Sequence, residues 1–89
     1  MAEKLDQVLV IDVESTCWNG PPPEGEEKEI IEIGVCVLDV TTGERVAKQS
    51  LLVRPEQSRL SPFCSDLTHL TQRQVEQQGV PFDRACAIL

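Results

Sequence analysis

An unbroken apolar run near the start of the chain ends in two acidic residues. The run from Val8 to Ile11 is aliphatic throughout, and Asp12-Val13-Glu14 follows it directly. β-Branched residues favour strands, and a continuous apolar run is typical of a strand buried on both faces. We therefore expect a first strand over residues 8–14 that is buried on both faces and has a pair of carboxylates where it ends.

The alternation of apolar and polar residues predicts two further strands. Segment 15–28 is rich in proline, glycine and glutamate, which predicts a flexible loop. Beyond it, apolar residues two positions apart predict a second strand, with Ile31, Ile33, Val35 and Val37 on one face. Thr41-Thr42-Gly43 indicates a hairpin turn into a third strand over about residues 45–54, which we expect to be more peripheral because its apolar face is interrupted.

Beyond the third strand the signals become those of helices. Ser61-Pro62 is typical of a helix start, with serine as the N-cap and proline in the first turn, and it predicts a short helix over residues 62–67. Thr71 is followed three residues later by Gln74, which matches the capping box. A second short helix should therefore begin after Thr71 and run to about residue 78.

A third helix is predicted at the end of the chain. Gly79 closes the second helix, and Pro81 opens the third. Apolar residues then continue at near-helical spacing to Leu89, where no capping residue is found. The order of three strands followed by three helices indicates an α/β fold. The uncapped apolar end leads us to expect that residues 1–89 form an incomplete domain.

Composition and charge narrow the range of functions. The chain has 89 residues and a net charge of −7, which argues against a basic surface that coats nucleic acid. Much of the acid is local, and we interpret this cluster as a solvated loop that leads into a strand; its members are Glu24, Glu26, Glu27, Glu29 and Glu32. No apolar run approaches the length of a membrane span, so we expect no membrane partner.

The cysteines do not form a recognisable metal or disulfide pattern. Cys17, Cys36, Cys64 and Cys86 include no Cys-x-x-Cys pair. This spacing disfavours a zinc site, a disulfide framework and a thiol-based redox function. We expect reduced, mostly structural thiols in a cytoplasmic protein.

Asp12 and Glu14 carry the candidate chemistry. Side chains alternate along a strand, so two residues at this spacing project to the same face, with Cα atoms about 6.5–7 Å apart. Mg²⁺ and Mn²⁺ prefer carboxylate oxygen, so the pair could hold a divalent cation. Two solvated carboxylates at a strand end are the alternative, and a bare Asp-x-Glu does not decide between them.

A longer stretch of the chain resembles a known family of nucleases. Residues 9–18, from Leu9 to Trp18, resemble the first motif of the DEDDh 3′→5′ exonucleases, which have a ribonuclease H-like fold. The Thr16-Cys17 pair is similar to that of the histone-mRNA and small-RNA 3′ exoribonuclease branch. Further segments agree in order and spacing: residues 29–34 with the second strand, 53–55 with the end of the third, and 60–64 and 67–71 with the first helix and the following turn.

The resemblance implies a metal-dependent reaction. In such a site, two divalent ions clamp a phosphodiester, one activating water and the other stabilising the leaving 3′ oxygen. By resemblance, Asp12 would bridge two Mg²⁺ or Mn²⁺ ions and Glu14 would bind the ion on the nucleophile side. A histidine general base and two further aspartates would complete the site.

The resemblance also implies which residues would meet the substrate. Ser15, Thr16, Cys17 and Trp18 would lie near the terminal 3′ nucleotide, and Trp18 could stack on a base or pack on the domain. His69, the single histidine, matches the turn after the first helix rather than the general base. We interpret it chiefly as a polar turn residue, with substrate contact as the alternative.

Only the first acidic motif is present in this sequence. The remaining aspartates and the histidine base would lie beyond Leu89, so we expect the 89-residue chain alone to be inactive and to bind metal weakly. Two hypotheses follow. The chain is the N-terminal half of a 3′→5′ exonuclease of single-stranded nucleic acid, with RNA favoured over DNA, or it is a catalytically incomplete nucleic-acid-binding or regulatory module of the same fold.

Overall fold

The computed structural model describes residues 6–88, and each of the six predicted elements is found within them. The strands are β1 (Gln7–Ser15), β2 (Ile30–Asp39) and β3 (Arg45–Leu52), and the helices are α1 (Pro62–Thr68), α2 (Gln72–Gln78) and α3 (Phe82–Ile88). The chain therefore has the predicted order of strands and helices. The expectation about an apolar, uncapped Leu89 lies outside the described residues.

The strands form one antiparallel sheet in the order β1-β2-β3. The predicted meander is confirmed, and β3 is an edge strand whereas β2 is central. Asp12 lies opposite Gly34 and Glu14 lies opposite Glu32, and the β1–β2 register shifts between Glu14 and Ser15. This irregularity ends the regular pairing directly after the acidic pair, where bulges typically redirect a strand.

The prediction that the first strand is buried on both faces is wrong for the described part of the chain. The apolar side chains of β1 are largely open to solvent, with Leu9 at 59%, Ile11 at 60% and Val13 at 47% exposure. The physical reason is that β1 pairs only with β2, and the helices of residues 6–88 do not pack extensively against it. Apolar composition predicted burial, but burial requires a partner layer.

The core lies under β2, the end of β3 and the helices. One buried cluster consists of Ile31, Cys64, Leu70 and Val75, and it joins β2 to α1 and α2. A second cluster consists of Ile33, Val53 and Ala85, and it joins β2 to α3. Because β2 contributes to both clusters, it anchors the helices to the sheet.

Local hydrogen bonds define the helix ends as the sequence predicts. The Ser61 hydroxyl caps α1 and accepts a hydrogen bond from the Cys64 amide at 3.0 Å. At α2, both halves of the capping box are present between Thr71 and Gln74. None of the helices within residues 6–88 has the length and apolar content needed to cross a membrane.

Two helix ends differ from the simplest expectation. His69 closes α1 in the left-handed conformation, with φ of 63°, where glycine is the usual residue. Gly79 closes α2 in an extended conformation, with φ of −76°. A Cβ at position 79 would meet the backbone nitrogen of Arg54 and the backbone carbonyl of Val75. Gly79 is therefore needed for close approach to the backbone just after β3 rather than for a left-handed cap.

Candidate active site on the sheet

Asp12 and Glu14 share one face of β1, as strand alternation predicts. They line a groove of about 330 Å³ on that face, together with Val10 on the same strand. Asp12 is exposed and Glu14 is partly buried. Within residues 6–88, neither carboxylate accepts a hydrogen bond from a side chain or from a backbone amide. Both are thus available to an external partner.

Neighbouring strands bring further polar residues to this face. Glu32 lies directly across from Glu14 on β2, and Lys48 and Ser50 of β3 line the same groove. The Ser50 hydroxyl donates a hydrogen bond to the Glu32 carboxylate at 3.1 Å. The interpretation of the acidic cluster as a solvated loop leading into a strand gives Glu32 no role at the site, whereas the β1–β2 register puts it beside the acidic pair. Only knowledge of that register could have identified it.

The carboxylates in this groove suit a hard divalent cation, but they are few. Asp12 and Glu14 offer carboxylate oxygens, which Mg²⁺ and Mn²⁺ prefer. Across from Asp12, Gly34 carries no side chain, which leaves the groove open beside the carboxylate. Among residues 6–88, no group of three or more acidic, cysteine or histidine side chains could hold a metal ion. Asp12 and Glu14 could therefore supply part of a metal site.

Thr16, predicted to lie near substrate, has a buried side chain. It is fully buried, and its hydroxyl accepts a hydrogen bond from the Glu29 amide at 2.9 Å. The Thr16 amide donates to the Glu29 carbonyl at 2.8 Å, and the Thr16 and Ser58 hydroxyl oxygens lie 3.1 Å apart. The Thr16 side chain thus anchors the chain just after Glu14, and its predicted contact with substrate remains a prediction.

Glu29 is the residue at this place that sequence reasoning missed. Its carboxylate accepts hydrogen bonds from the Glu56 amide at 2.9 Å, the Gln57 amide at 2.8 Å and the Ser58 hydroxyl at 2.6 Å. Burial alone would raise the pKa of Glu29, but these hydrogen bonds from Ser58 and the backbone more than offset it, so the pKa lies below its ordinary value. Glu29 is therefore a structural anion, not part of a solvated loop.

Helix α1 and its N-cap residue also hold residues 15–17 in place. The Ser61 hydroxyl donates to the Cys17 carbonyl at 2.7 Å, and the Cys64 thiol donates to the Ser15 carbonyl at 3.5 Å. Cys17 is partly buried against the Cys64 cluster. Burial raises the pKa of the Cys17 thiol, and the neighbouring Cys64 thiol adds to the shift. Both cysteines are thus packing residues in this conformation.

Trp18 and His69 lie apart from the acidic groove. Trp18 is partly buried and His69 is exposed, and neither lines the groove that contains Asp12 and Glu14. His69 donates its amide to the Ser65 carbonyl and so closes α1. Ser15, Thr16 and Cys17 are therefore near the acidic pair because they follow Glu14 directly along the backbone. Substrate contacts by Trp18 and His69 remain predictions.

Comparison with known families identifies one match. The family model described as Exonuclease (RNase_T) matches residues 9–82. The matched segment includes the acidic pair, the Glu29 hydrogen bonds and the helices α1 and α2, and it ends where α3 begins.

Several characterised proteins are similar to the chain in sequence. The Drosophila melanogaster 3′-5′ exonuclease Snipper is 38% identical over 80 residues, covering 88% of this chain and 28% of Snipper. The human ERI1 exoribonuclease 2 is 40% identical over 78 residues, covering 86% of this chain and 11% of the relative. The human 3′-5′ exoribonuclease 1 is 44% identical over 73 residues, covering 81% and 21%. The chain thus spans between 11% and 28% of the length of these curated relatives.

Solved structures agree with the sequence matches. The nuclease domain of 3′hExo, a DEDDh family member bound to rAMP, superposes with a TM-score of 0.81 and 39% identity, covering 93% of this chain and 41% of that domain. A structure of cell-death related nuclease 4 superposes with a TM-score of 0.73 at 22% identity, which supports the fold alone. The predicted ribonuclease H-like fold class is therefore confirmed.

Proposed function

Because the chain belongs to this exonuclease family, we propose that it supplies the first acidic motif of a metal-dependent 3′→5′ exonuclease. The proposed substrate is the 3′ end of single-stranded RNA, and the reaction is hydrolysis of the last phosphodiester. One observation carries the proposal: Asp12 and Glu14 project into an open groove without a protein hydrogen-bond partner in the described residues. Carboxylates left in this state are suited to a cation.

Asp12 and Glu14 would hold two divalent ions, Mg²⁺ or Mn²⁺, together with ligands from other segments of the protein. When bound, such ions lower the pKa of water and stabilise the charge on the leaving 3′ oxygen. Asp12 would contact both ions, and Glu14 the one nearer the attacking water. Asp12 is exposed, so its carboxylate is open to a cation that approaches from solvent.

Residues Ser15 to Trp18 would contact the terminal nucleotide beside the acidic pair. The single tryptophan, Trp18, supplies a ring on which a base could stack, a contact that tolerates any sequence. RNA is favoured over DNA because relatives are exoribonucleases, and one similar structure concerns 3′-end recognition of a histone mRNA stem-loop. His69 closes α1, and we propose contact with substrate as its secondary role. We propose the cytoplasm as compartment, in which the four free thiols stay reduced.

A second candidate is a nucleic-acid-binding or regulatory module without catalysis. It is favoured by one observation, that residues 6–88 bring together no three metal-binding side chains. In either case we expect the 89-residue chain alone to be inactive. The two candidates differ in what Asp12 does once the other motifs are supplied.

The test is a hybrid protein. Residues 9–82 of this chain replace the corresponding segment of the human 3′-5′ exoribonuclease 1, to which it is 44% identical. With Mg²⁺ or Mn²⁺, the hybrid should shorten a 5′-labelled single-stranded RNA from its 3′ end. Asp12→Ala should reduce the rate roughly 10³-fold, since a metal ligand is worth several kcal/mol in the transition state.

Asp66→Ala is the matched control because Asp66 is exposed on α1, away from the groove. It should leave the rate and the melting temperature unchanged. An Asp12→Ala hybrid that digests RNA normally would overturn the proposed function. A folded wild-type hybrid that binds RNA without digesting it would favour the non-catalytic module.

A further inference from the structure

The segment that follows Glu14 is held by a closed set of hydrogen bonds centred on one carboxylate. The Glu29 amide donates to the Thr16 hydroxyl, which lies 3.1 Å from the Ser58 hydroxyl. Ser58 in turn donates to the Glu29 carboxylate at 2.6 Å. The ring therefore begins and ends at Glu29, and both hydroxyl-bearing side chains in it are buried. We call these three residues the Glu29 network.

The Glu29 network joins distant parts of the chain at the edge of the proposed site. Thr16 lies two residues after Glu14, just beyond the shift in the β1–β2 register between Glu14 and Ser15. The carboxylate of Glu29 also binds the amides of Glu56 and Gln57, so it fixes the segment after β3 to the exit of β1. The position of residues 15–18 is thereby tied to a segment about forty residues further along the chain.

We infer that Glu29 is a positioning residue, which acts through Thr16 and Ser58 to hold the segment Ser15–Trp18 in the conformation that receives the terminal nucleotide. The nucleotide role rests on the proposed function, whereas the positioning itself rests on the hydrogen bonds described above. Helix α1 supports the same segment at the carbonyls of Ser15 and Cys17. Held from both sides, the segment keeps one conformation before substrate arrives, which lowers the ordering cost of binding.

A carboxylate is required at position 29 because every group aimed at it is a donor. Two amides and one hydroxyl converge on its two oxygens. Glutamine has nearly the same shape but only one acceptor oxygen, and its NH₂ group would face an N–H or O–H donor. Glu29→Gln therefore removes the charge and at least one hydrogen bond with little change in volume.

Amide hydrogen exchange of the 89-residue chain tests the positioning. In Glu29→Gln, we expect the amide of Thr16 to exchange about tenfold faster, as the loss of a hydrogen bond to a charged group predicts. Amides within α2 should keep their rates, because α2 does not contact the Glu29 network through any described hydrogen bond. Ser58→Ala should show a smaller effect in the same direction and serves if Glu29→Gln does not fold.

Trp18 fluorescence gives an independent readout because the chain has one tryptophan and no tyrosine. Release of the segment should shift the emission of Trp18 to a different wavelength and increase its quenching by acrylamide. Glu27→Gln is the matched control, since Glu27 is an exposed glutamate two residues earlier in the same acidic run. It should leave both readouts at their wild-type values.

Three results would overturn the inference. The first is that the exchange rates and the Trp18 fluorescence stay unchanged in both Glu29→Gln and Ser58→Ala. The second is an equal rise in exchange rate at all amides. The third is that Glu27→Gln changes the Trp18 emission as much as Glu29→Gln does. An equal rise would show that Glu29 contributes only to global stability.

The hybrid protein tests the nucleotide role separately. Glu29→Gln in the hybrid should raise KM for RNA roughly tenfold, the worth of a base stack, with little change in kcat. An unchanged KM together with altered Trp18 emission would overturn the nucleotide role. If the wild-type hybrid does not digest RNA, the proposed function fails, while exchange and fluorescence still decide whether Glu29 positions the segment.

Discussion

The acidic residues of this chain occupy two opposite environments within a short distance along the sequence. Asp12 and Glu14 stand on an open face of the sheet and accept no described hydrogen bond outside the strand pairing. Glu29 accepts three, from two amides and one hydroxyl, and its pKa lies below the ordinary value. The protein therefore provides hydrogen-bond donors to the carboxylate that holds the backbone, whereas the two carboxylates that line the groove receive none from the described residues.

The apolar residues also divide into a buried group and an exposed group. Val75 and Ile31 are fully buried among β2, α1 and α2, whereas Ile11 of β1 is 60% exposed. Stability within residues 6–88 should thus reside in the packed region, made of the two buried clusters and the Glu29 network. The open region, made of β1 with its acidic pair, should contribute chemistry and little stability. Four experiments compare the two regions.

The largest difference should come from shortening one apolar side chain in each region. Val75→Ala leaves a cavity in a closed cluster and should lower the free energy of unfolding by ~2–3 kcal/mol. Ile11→Ala removes more carbon atoms but from an exposed strand, and should lower it by less than about 1 kcal/mol. Urea titrations of both variants measure the difference. Equal losses would show that β1 is buried in solution.

The pH dependence of stability should distinguish Glu29 from the other carboxylates. Because its pKa is lowered in the folded chain, Glu29 stabilises the fold at pH values above its unfolded pKa, ordinarily 4.5, and this contribution is lost as the pH falls through the lower folded value. The free energy of unfolding of Glu29→Gln should therefore fall less steeply with acid than that of the wild type.

Glu27→Gln provides the comparison for that titration. Urea titrations between neutral pH and about pH 3 should give a wild-type slope for this variant, because Glu27 is exposed and its carboxylate takes part in none of the hydrogen bonds of the Glu29 network. If Glu29→Gln and the wild type lose stability in parallel as the pH falls, the assigned role of the Glu29 network is wrong.

His69 offers a smaller test of whether a predicted site residue belongs to the packed region. Its left-handed conformation, φ 63°, is strained for a residue with a Cβ. His69→Gly should stabilise the chain by about 0.5–1 kcal/mol, as expected for a C-terminal cap. Thermal unfolding detects this gain. In the hybrid, a large rise in KM for RNA on the same substitution would instead assign His69 to substrate contact.

The smallest effect should be the response of the 89-residue chain to Mn²⁺. With two carboxylate ligands the affinity should be weak, and Mn²⁺ at its dissociation constant stabilises a fold by only about 0.4 kcal/mol. Asp12→Ala should abolish this effect and Asp66→Ala should not. Tight, stoichiometric Mn²⁺ binding by calorimetry would contradict the expectation that the ligand set in this chain is incomplete.

Elements that depend on neighbouring residues were predictable. The capping box of Thr71 and Gln74 and the N-cap of Ser61 form within one helical turn, so the sequence contains everything they need. Burial of β1 was predicted wrongly, because apolar character does not say which layer covers a strand. Gly79 was identified as a helix end, but its close contact with the backbone near Arg54 arises only when α2 meets β3.

The sequence by itself determined that Asp12 and Glu14 face the same side of a strand, because side chains alternate with a period of two. Only the tertiary structure decided that Glu32 stands across from Glu14 and that Glu29 binds Ser58. The reason is physical: strand register and hydrogen bonds between residues about thirty positions apart depend on how the whole chain packs. Glu32 is thus a neighbour of the site and Glu29 a support for it, although each is followed by an isoleucine in the same short acidic stretch.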